Sequence, residues 1–160
     1  MAATTIDATD LRILRQVQDN ARISNVDLAE NVGLSPSPCL RRLKRLEDDG
    51  VIKGYVTLID QNIVGLPVSV FVSVALKEQS EAALEEFEAR VRELPQVMEC
   101  YLMTGASDYL LRVVTADLAA YERFLKDHLT RIKAIASIQS SFALKQVAYR
   151  TALPLPDAGA

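Results

Sequence analysis

Residues 24–46 read Ser24-Asn25-Val26-Asp27-Leu28-Ala29-Glu30-Asn31-Val32-Gly33-Leu34-Ser35-Pro36-Ser37-Pro38-Cys39-Leu40-Arg41-Arg42-Leu43-Lys44-Arg45-Leu46, and they decide the first half of the fold. Ser24 with Asp27 three residues on is a capping-box pattern, in which each side chain satisfies the other's backbone donor at a helix start. Gly33 ends that helix, because glycine turns to positive φ without a Cβ clash. Ser35 is placed to cap a third helix. Pro36 and Pro38 fall in its first turn, where backbone N–H groups have no intrahelical acceptor, so neither proline breaks it. Cys39, Leu40, Leu43 and Leu46 carry this helix to a stop near Gly50. Upstream, Leu11, Leu14 and Val17 or Gln18 behind Asp7 predict a first helix over about 7–18. Ala29 is small where two helices cross, so Ala29-x-x-x-Gly33-Leu34-Ser35 is a helix-turn-helix pattern.

The third helix carries four of the cations of this part. With Leu43 at the centre of the buried face, Leu40 and Leu46 fall within about 60° of it and Cys39 lies beside them. Arg41 and Arg45 then come out opposite, with Ser37 and Pro38 near them, and Arg42 and Lys44 flank the stripe. A helix read from its N-terminal end fits the major groove, where arginine bonds guanine in two places and neighbouring cations hold phosphates. A solvated basic face would look the same in the sequence. The chain has 160 residues, 18 basic and 21 acidic, for a net charge of −3. That balance excludes a uniformly basic nucleic-acid coat. It is unevenly spread, however. Residues 1–55 hold eight of each sign, so the acidic excess lies wholly downstream.

From residue 51 the pattern alternates. Val51 to Ile59 reads as a strand, and 51–66 as a linker closed by Gly65-Leu66-Pro67. Val68, Val70, Val72, Val74 and Leu76 alternate with Ser69, Phe71, Ser73 and Ala75, a strand with two different faces. Ser80 opens a helix with Leu84, Phe87, Val91 and Leu94 on one side, stopped by Pro95. Val97–Met103 and Tyr109–Val114 read as strands, Asp117 opens a helix along Leu118, Tyr121, Leu125 and Ile132, and Ile138–Tyr149 reads as the last strand. The order is βαββαβ, the ferredoxin-like arrangement. The expected organisation is thus α+β: a helix-turn-helix domain over 1–50, a strand and linker over 51–66, a ferredoxin-like domain over 67–150, and a partly disordered tail over 151–160.

Other chemistry finds little support. The chain contains two cysteines, Cys39 and Cys100, and one histidine, His128, too few for a zinc site or a disulfide scaffold. There is no nucleophile elbow and no phosphate loop, so no enzyme activity, cofactor or metal is expected. His128 and Cys39 read as packing residues. No apolar run is long enough to span a membrane, the start has no signal-peptide character, and a cytoplasmic location is expected.

Several stretches are familiar together. Asp7-x-x-Asp10 with Ile13-Leu14, Asn20-Ala-Arg-Ile-Ser24, Asp27-Leu-Ala29, Val32 to Cys39, Arg45-Leu-Glu47 and Gly50 to Tyr55 closely resemble the Lrp/AsnC (feast/famine) family. The resemblance continues through Glu99 to Gly105, Asp108 to Leu111 and Ser140 to Val147, covering roughly 6–150. Within that family the chain looks most like bacterial local regulators of amino-acid catabolism, including the branched-chain keto-acid type.

The resemblance implies a winged helix-turn-helix followed by an amino-acid-sensing αβ sandwich. Its partners would be double-stranded DNA, a small amino-acid effector and a second copy of the chain, with dimers assembling into octamers. The implied DNA-binding residues are Ser35, Ser37, Pro38, Arg41, Arg42, Lys44 and Arg45. The implied effector site lies at a junction between dimers, on the turn bearing Thr104, Gly105, Asp108 and Tyr109, with Ser141 and Phe142 as further positions. Turn N–H groups can hold a carboxylate and Asp108 can accept from an ammonium; a plain hairpin turn is the competing reading. Ala106 stands where relatives often carry an acid. Two other functions compete: a ligand-independent, nucleoid-type architectural protein, and an amino-acid-sensing subunit of a metabolic enzyme. An RNA-recognition fold shares the strand order, but the third strand lacks the aromatic pair that stacks bases.

Overall fold

Each helix of the N-terminal part begins at a residue suited to the start. Asp7 caps α1 (Ala8–Asp19) in a full capping box with Asp10. Ser24 accepts from the Asp27 N–H at the head of α2 (Asn25–Val32). That helix ends at Gly33 with φ of 71°, and the Leu34 N–H reaches back to the Ala29 carbonyl at 2.8 Å. This six-to-one bond defines a Schellman turn, and it aims the chain into α3 (Pro36–Asp48). Ile13, Leu28, Ala29, Cys39 and Leu46 are buried together as the core of this three-helix unit. The computed structural model describes residues 5–157.

The second unit is a four-stranded antiparallel sheet: β1 (Val68–Leu76), β2 (Val97–Leu102), β3 (Tyr109–Thr115) and β4 (Ile135–Phe142), in the order β2-β3-β1-β4. Two helices, α4 (Glu81–Arg92) and α5 (Leu118–Asp127), alternate with the strands, and a 3-10 turn at Leu129–Arg131 follows α5. This is the ferredoxin-like topology expected from the βαββαβ order. Val70, Val72, Val74 and Leu76 face the helices with Leu111, Val113, Phe87, Phe124 and Leu129. Phe71 is 40% exposed on the opposite face. Compact packing divides the described residues into 5–58 with 148–157, and 59–147.

Two expectations are corrected. Val51–Ile59 forms no strand. Val56, Leu58 and Ile59 are exposed, and among the described residues no neighbouring ladder pairs with the alternation, without which a strand has no stability. The last strand is Ile135–Phe142 rather than 138–149. Its partner β1 starts at Val68, and Phe142 already sits opposite Val70, so among the described residues of the chain nothing continues the ladder beyond residue 143. Within the tail, expected to be partly disordered, Leu155 packs on the helical core of the first unit. Residues 158–160 lie outside the described residues.

Candidate nucleic-acid interface and effector turn

The first turn of α3 is unusual in its donors. Pro36 and Pro38 occupy N1 and N3, and Ser35 at the N-cap makes no side-chain cap bond. A capping hydroxyl normally accepts from the N–H at N2 or N3, and proline at N3 removes one of those donors. Ser35 and Ser37 therefore present exposed side chains at the helix start. The Asn25 amide donates to the Pro36 carbonyl at 2.9 Å and fixes the start of α2 against that of α3.

The buried side of α3 is centred on Cys39 and Leu46, with Leu43 half-buried. Taking Leu43 as the centre places the helix about 40° out of phase. As a result Leu40, expected to be buried, is 40% exposed. The exposed stripe becomes Ser37, Arg41, Lys44 and Asp48, and a shallow depression lies along it with Leu40 on its wall. Cations occupy the middle of the stripe and acids its end, so its attraction for an anion is confined to the first turns. Pro38 is half-buried at the side.

Arg42 and Arg45 also bind within the unit, a contact that the helix pattern alone does not reveal. Asp10 is completely buried at the start of α1. Arg42 donates to Asp10 Oδ1 at 2.9 Å and to Asp7 Oδ2 at 2.6 Å. Arg45 donates to Asp10 Oδ2, which also takes the Asp7 N–H. The four residues clamp α1 to α3. The signal was present in the sequence as two acids three apart and two arginines three apart, but only the fold shows that they meet. The Asp7 carboxyl is held below its ordinary value, first by the Asp10 N–H and then by Arg42, whose own value rises beside Asp7 and Asp10. A depressed carboxyl contributes stability that is present above its unfolded value, 3.8 here, and lost as pH falls through the folded value. Unfolding of the first unit, followed against pH, should therefore show an acid-side decline below about pH 4 that Asp7→Asn diminishes.

Tyr55, just past α3, donates to Glu47 at 2.8 Å, and burial followed by that bond pushes its hydroxyl up to about 12. Cys39 is buried, and burial raises its thiol, consistent with a packing role. His128 caps the C-terminal end of α5 with its ring 5.6 Å from Phe124. Among the described residues no cluster could hold a metal ion, and no helix is long and apolar enough to cross a membrane.

The turn between β2 and β3 exposes Thr104, Gly105 and Ala106, with Gly105 at φ of 121°. Asp108 and Tyr109 point inward. Asp108 accepts from the Leu76 N–H at 2.7 Å and from the Gln79 amide at 2.6 Å, and no cation pairs with it among the described residues. β1 bulges between Ala75 and Leu76, and Asp108 takes up the N–H at that irregularity. The Tyr109 ring packs against Phe87, with centroids 4.4 Å apart, and its hydroxyl donates to Glu88 at 3.0 Å. Burial, then Glu88, drives the Tyr109 hydroxyl well above its ordinary value.

Ser141 and Phe142 lie two strands away from this turn. They pair with Phe71 and Val70, near the opposite end of β1 from the Val74–Tyr109 pair. They also face opposite sides of the sheet: Phe142 stands edge-on to Tyr121, while Ser141 shares the open face with Phe71. One chain therefore does not bring them to the turn. Gln79, which sequence reasoning missed, does reach it.

A helix-turn-helix unit of balanced charge, with cations gathered on its third helix, followed by a ferredoxin-like unit defines a class: DNA-binding regulators with a second, sensing domain. The family model described as winged helix-turn-helix DNA-binding matches residues 6–53, and the Lrp/AsnC ligand binding domain matches residues 69–153. The chain belongs to the Lrp/AsnC family. It is similar to the Bkd operon transcriptional regulator of Pseudomonas aeruginosa, 50% identical over 150 residues that cover 94% of this chain and 98% of that protein. It is 42% identical over 142 residues to the leucine-responsive regulatory protein of Rhizobium meliloti, covering 89% and 91%. The structure of a Neisseria meningitidis transcriptional regulator in complex with L-Met matches with a TM-score of 0.88 at 43% identity, covering 94% of this chain and 97% of that one.

Proposed function

We propose that this chain is a sequence-specific transcriptional regulator whose DNA affinity is set by a small amino acid, and that it controls amino-acid catabolism. The observation that carries the reading is the exposed Ser37–Arg41–Lys44 stripe at the N-terminal end of α3. Arg41 reads a base edge, Lys44 and the Ser35 and Ser37 hydroxyls hold phosphates, and Pro38 lines the approach. Arg42 and Arg45 keep the helix at the right angle and offer phosphates only their remaining N–H groups. The names of the relatives, one regulating an operon and another responsive to leucine, support the task and the class of effector.

The effector is held at the β2–β3 turn. Backbone N–H groups around Thr104 and Gly105 meet its carboxylate. The buried, cation-free carboxylate of Asp108 attracts its ammonium and fixes the turn through Leu76 and Gln79, while Tyr109 anchors the strand behind it. Ser141 and Phe142 join this site from another copy. The open sheet face carrying Phe71, 40% exposed, is the dimer surface; dimers assemble further through the turns, to an octamer. The molecule works in the cytoplasm, where its DNA is.

A thermal-shift screen against the twenty amino acids tests the effector half. At a hundredfold excess over Kd, a bound amino acid stabilises by about 2.7 kcal/mol. At least one should raise the unfolding temperature of the full chain, and Asp108→Ala should abolish that rise. No shift with any amino acid, or an undiminished shift in Asp108→Ala, contradicts this placement.

A further inference from the structure

We propose that the outer side of α1 is a binding surface for a proline-containing peptide tightly turned at Pro154, where the Leu155 N–H donates to the Leu153 carbonyl at 2.9 Å, and that its occupant is this chain's own segment Leu153–Asp157. The segment reads Leu153-Pro154-Leu155-Pro156-Asp157, and its composition alone gave no reason to expect order. Gln18 nevertheless pairs with the main chain of Leu153 in both directions. The Leu153 N–H donates to its Oε1 at 2.8 Å, and its Nε2 donates to the Leu153 carbonyl at 3.3 Å. A side-chain amide used in this way imitates the edge of a β-strand. Arg15, half-buried on the same helix, donates to the carbonyls of Leu155 and Pro156 and faces the Asp157 carboxylate at 3.5 Å.

The side chains divide the work in the same sense. Leu155 is half-buried and packs on the helical core, whereas Leu153 is 69% exposed. One leucine is thus the anchor, and main-chain groups supply the rest. Pro154 and Pro156 fit because neither position is asked to donate an N–H, and their fixed φ lowers the entropy lost on docking. The surface reads backbone, one apolar anchor and a terminal acid against one arginine.

Amide hydrogen exchange on the full-length protein tests the surface. The Leu153 amide should exchange about tenfold or more slowly than in an unstructured peptide, and Gln18→Ala should remove that protection. Leu155→Asp, which leaves Gln18 in place but cannot seat in the core, should also remove it. A synthetic peptide of residues 151–157 should perturb Arg15 and Gln18 resonances in full-length Leu155→Asp, whose own segment cannot seat, and leave the wild-type chain unchanged because its surface is filled. Exchange of Leu153 at the unstructured rate in the full-length chain would overturn the proposal, as would protection that survives both substitutions.

Discussion

Asp10→Ala is expected to destabilise the helix-turn-helix unit by about 2–4 kcal/mol, combining the loss of a cap with the loss of charge-assisted hydrogen bonds. Asp10 is fully buried, and both of its oxygens are taken: Oδ1 by Arg42, Oδ2 by Arg45 and the Asp7 N–H. Alanine removes the acceptor for both guanidinium groups and half of the capping box. The two arginines are partly exposed, so water takes over some of their solvation, which keeps the cost below that of stranding a buried ion. Asp10→Asn keeps one oxygen for the Asp7 N–H and Arg45 but loses the charge and turns its NH2 toward Arg42, another donor, so it should lose much of the clamp while keeping the cap and fall between wild type and alanine. Urea unfolding followed by far-ultraviolet circular dichroism gives the three values. A loss below about 0.5 kcal/mol for Asp10→Ala, ordinary for an unspecialised surface site, would show that the clamp does not hold α3.

Arg41→Ala is expected to weaken binding to a specific duplex by about 1–3 kcal/mol, or about 5- to 150-fold, if its guanidinium reads a guanine. Arg41 is exposed on the stripe, so its removal should leave the unfolding temperature unchanged. Arg45→Ala supplies the contrast. It releases the Oδ2 side of a buried carboxylate, so it should lower thermal stability and weaken DNA binding only as a consequence. The two arginines lie four residues apart on one helix and look interchangeable in the sequence; measuring affinity and unfolding together separates them. If Arg41→Ala binds specific and scrambled duplexes with the same proportional loss and a salt slope reduced by about one, Arg41 contacts a phosphate rather than a base.

Much of this was legible because the decisive signals were local. Asp7, Ser24, Ser80 and Asp117 each cap the helix whose start they mark. Gly33 turns the chain where a left-handed residue is needed, and the β1 alternation sorts the two faces of the sheet. The failures have a common physical origin in partners distant along the chain. The phase of α3 depends on which hydrophobic residues the other helices cover, so Leu40 and Leu43 could not be ranked from spacing. Arg42 and Arg45 look like a solvated or DNA-facing pair until α1 brings Asp7 and Asp10 to them. β4 ends where β1 does, and residues 51–59 lack a ladder; neither fact is written in the strands' own residues. The β2–β3 turn was legible as a turn, but Asp108 turns inward to the Leu76 N–H at an irregularity in β1, which no pattern in residues 104–109 reports.

The central claim joins one helix face to one ligand: α3 reads DNA, and an amino acid sets how tightly. Titration of the full-length protein with a duplex selected from a random library, at near-physiological salt, tests both halves. The same titration is repeated with the amino acid that most raises the unfolding temperature. The selected duplex should bind at least about a thousandfold more tightly than a scrambled one, and the amino acid should change that affinity by about 5- to 150-fold. Equal affinity for selected and scrambled duplexes, unmoved by any amino acid, would contradict the account and leave a ligand-independent architectural protein in its place.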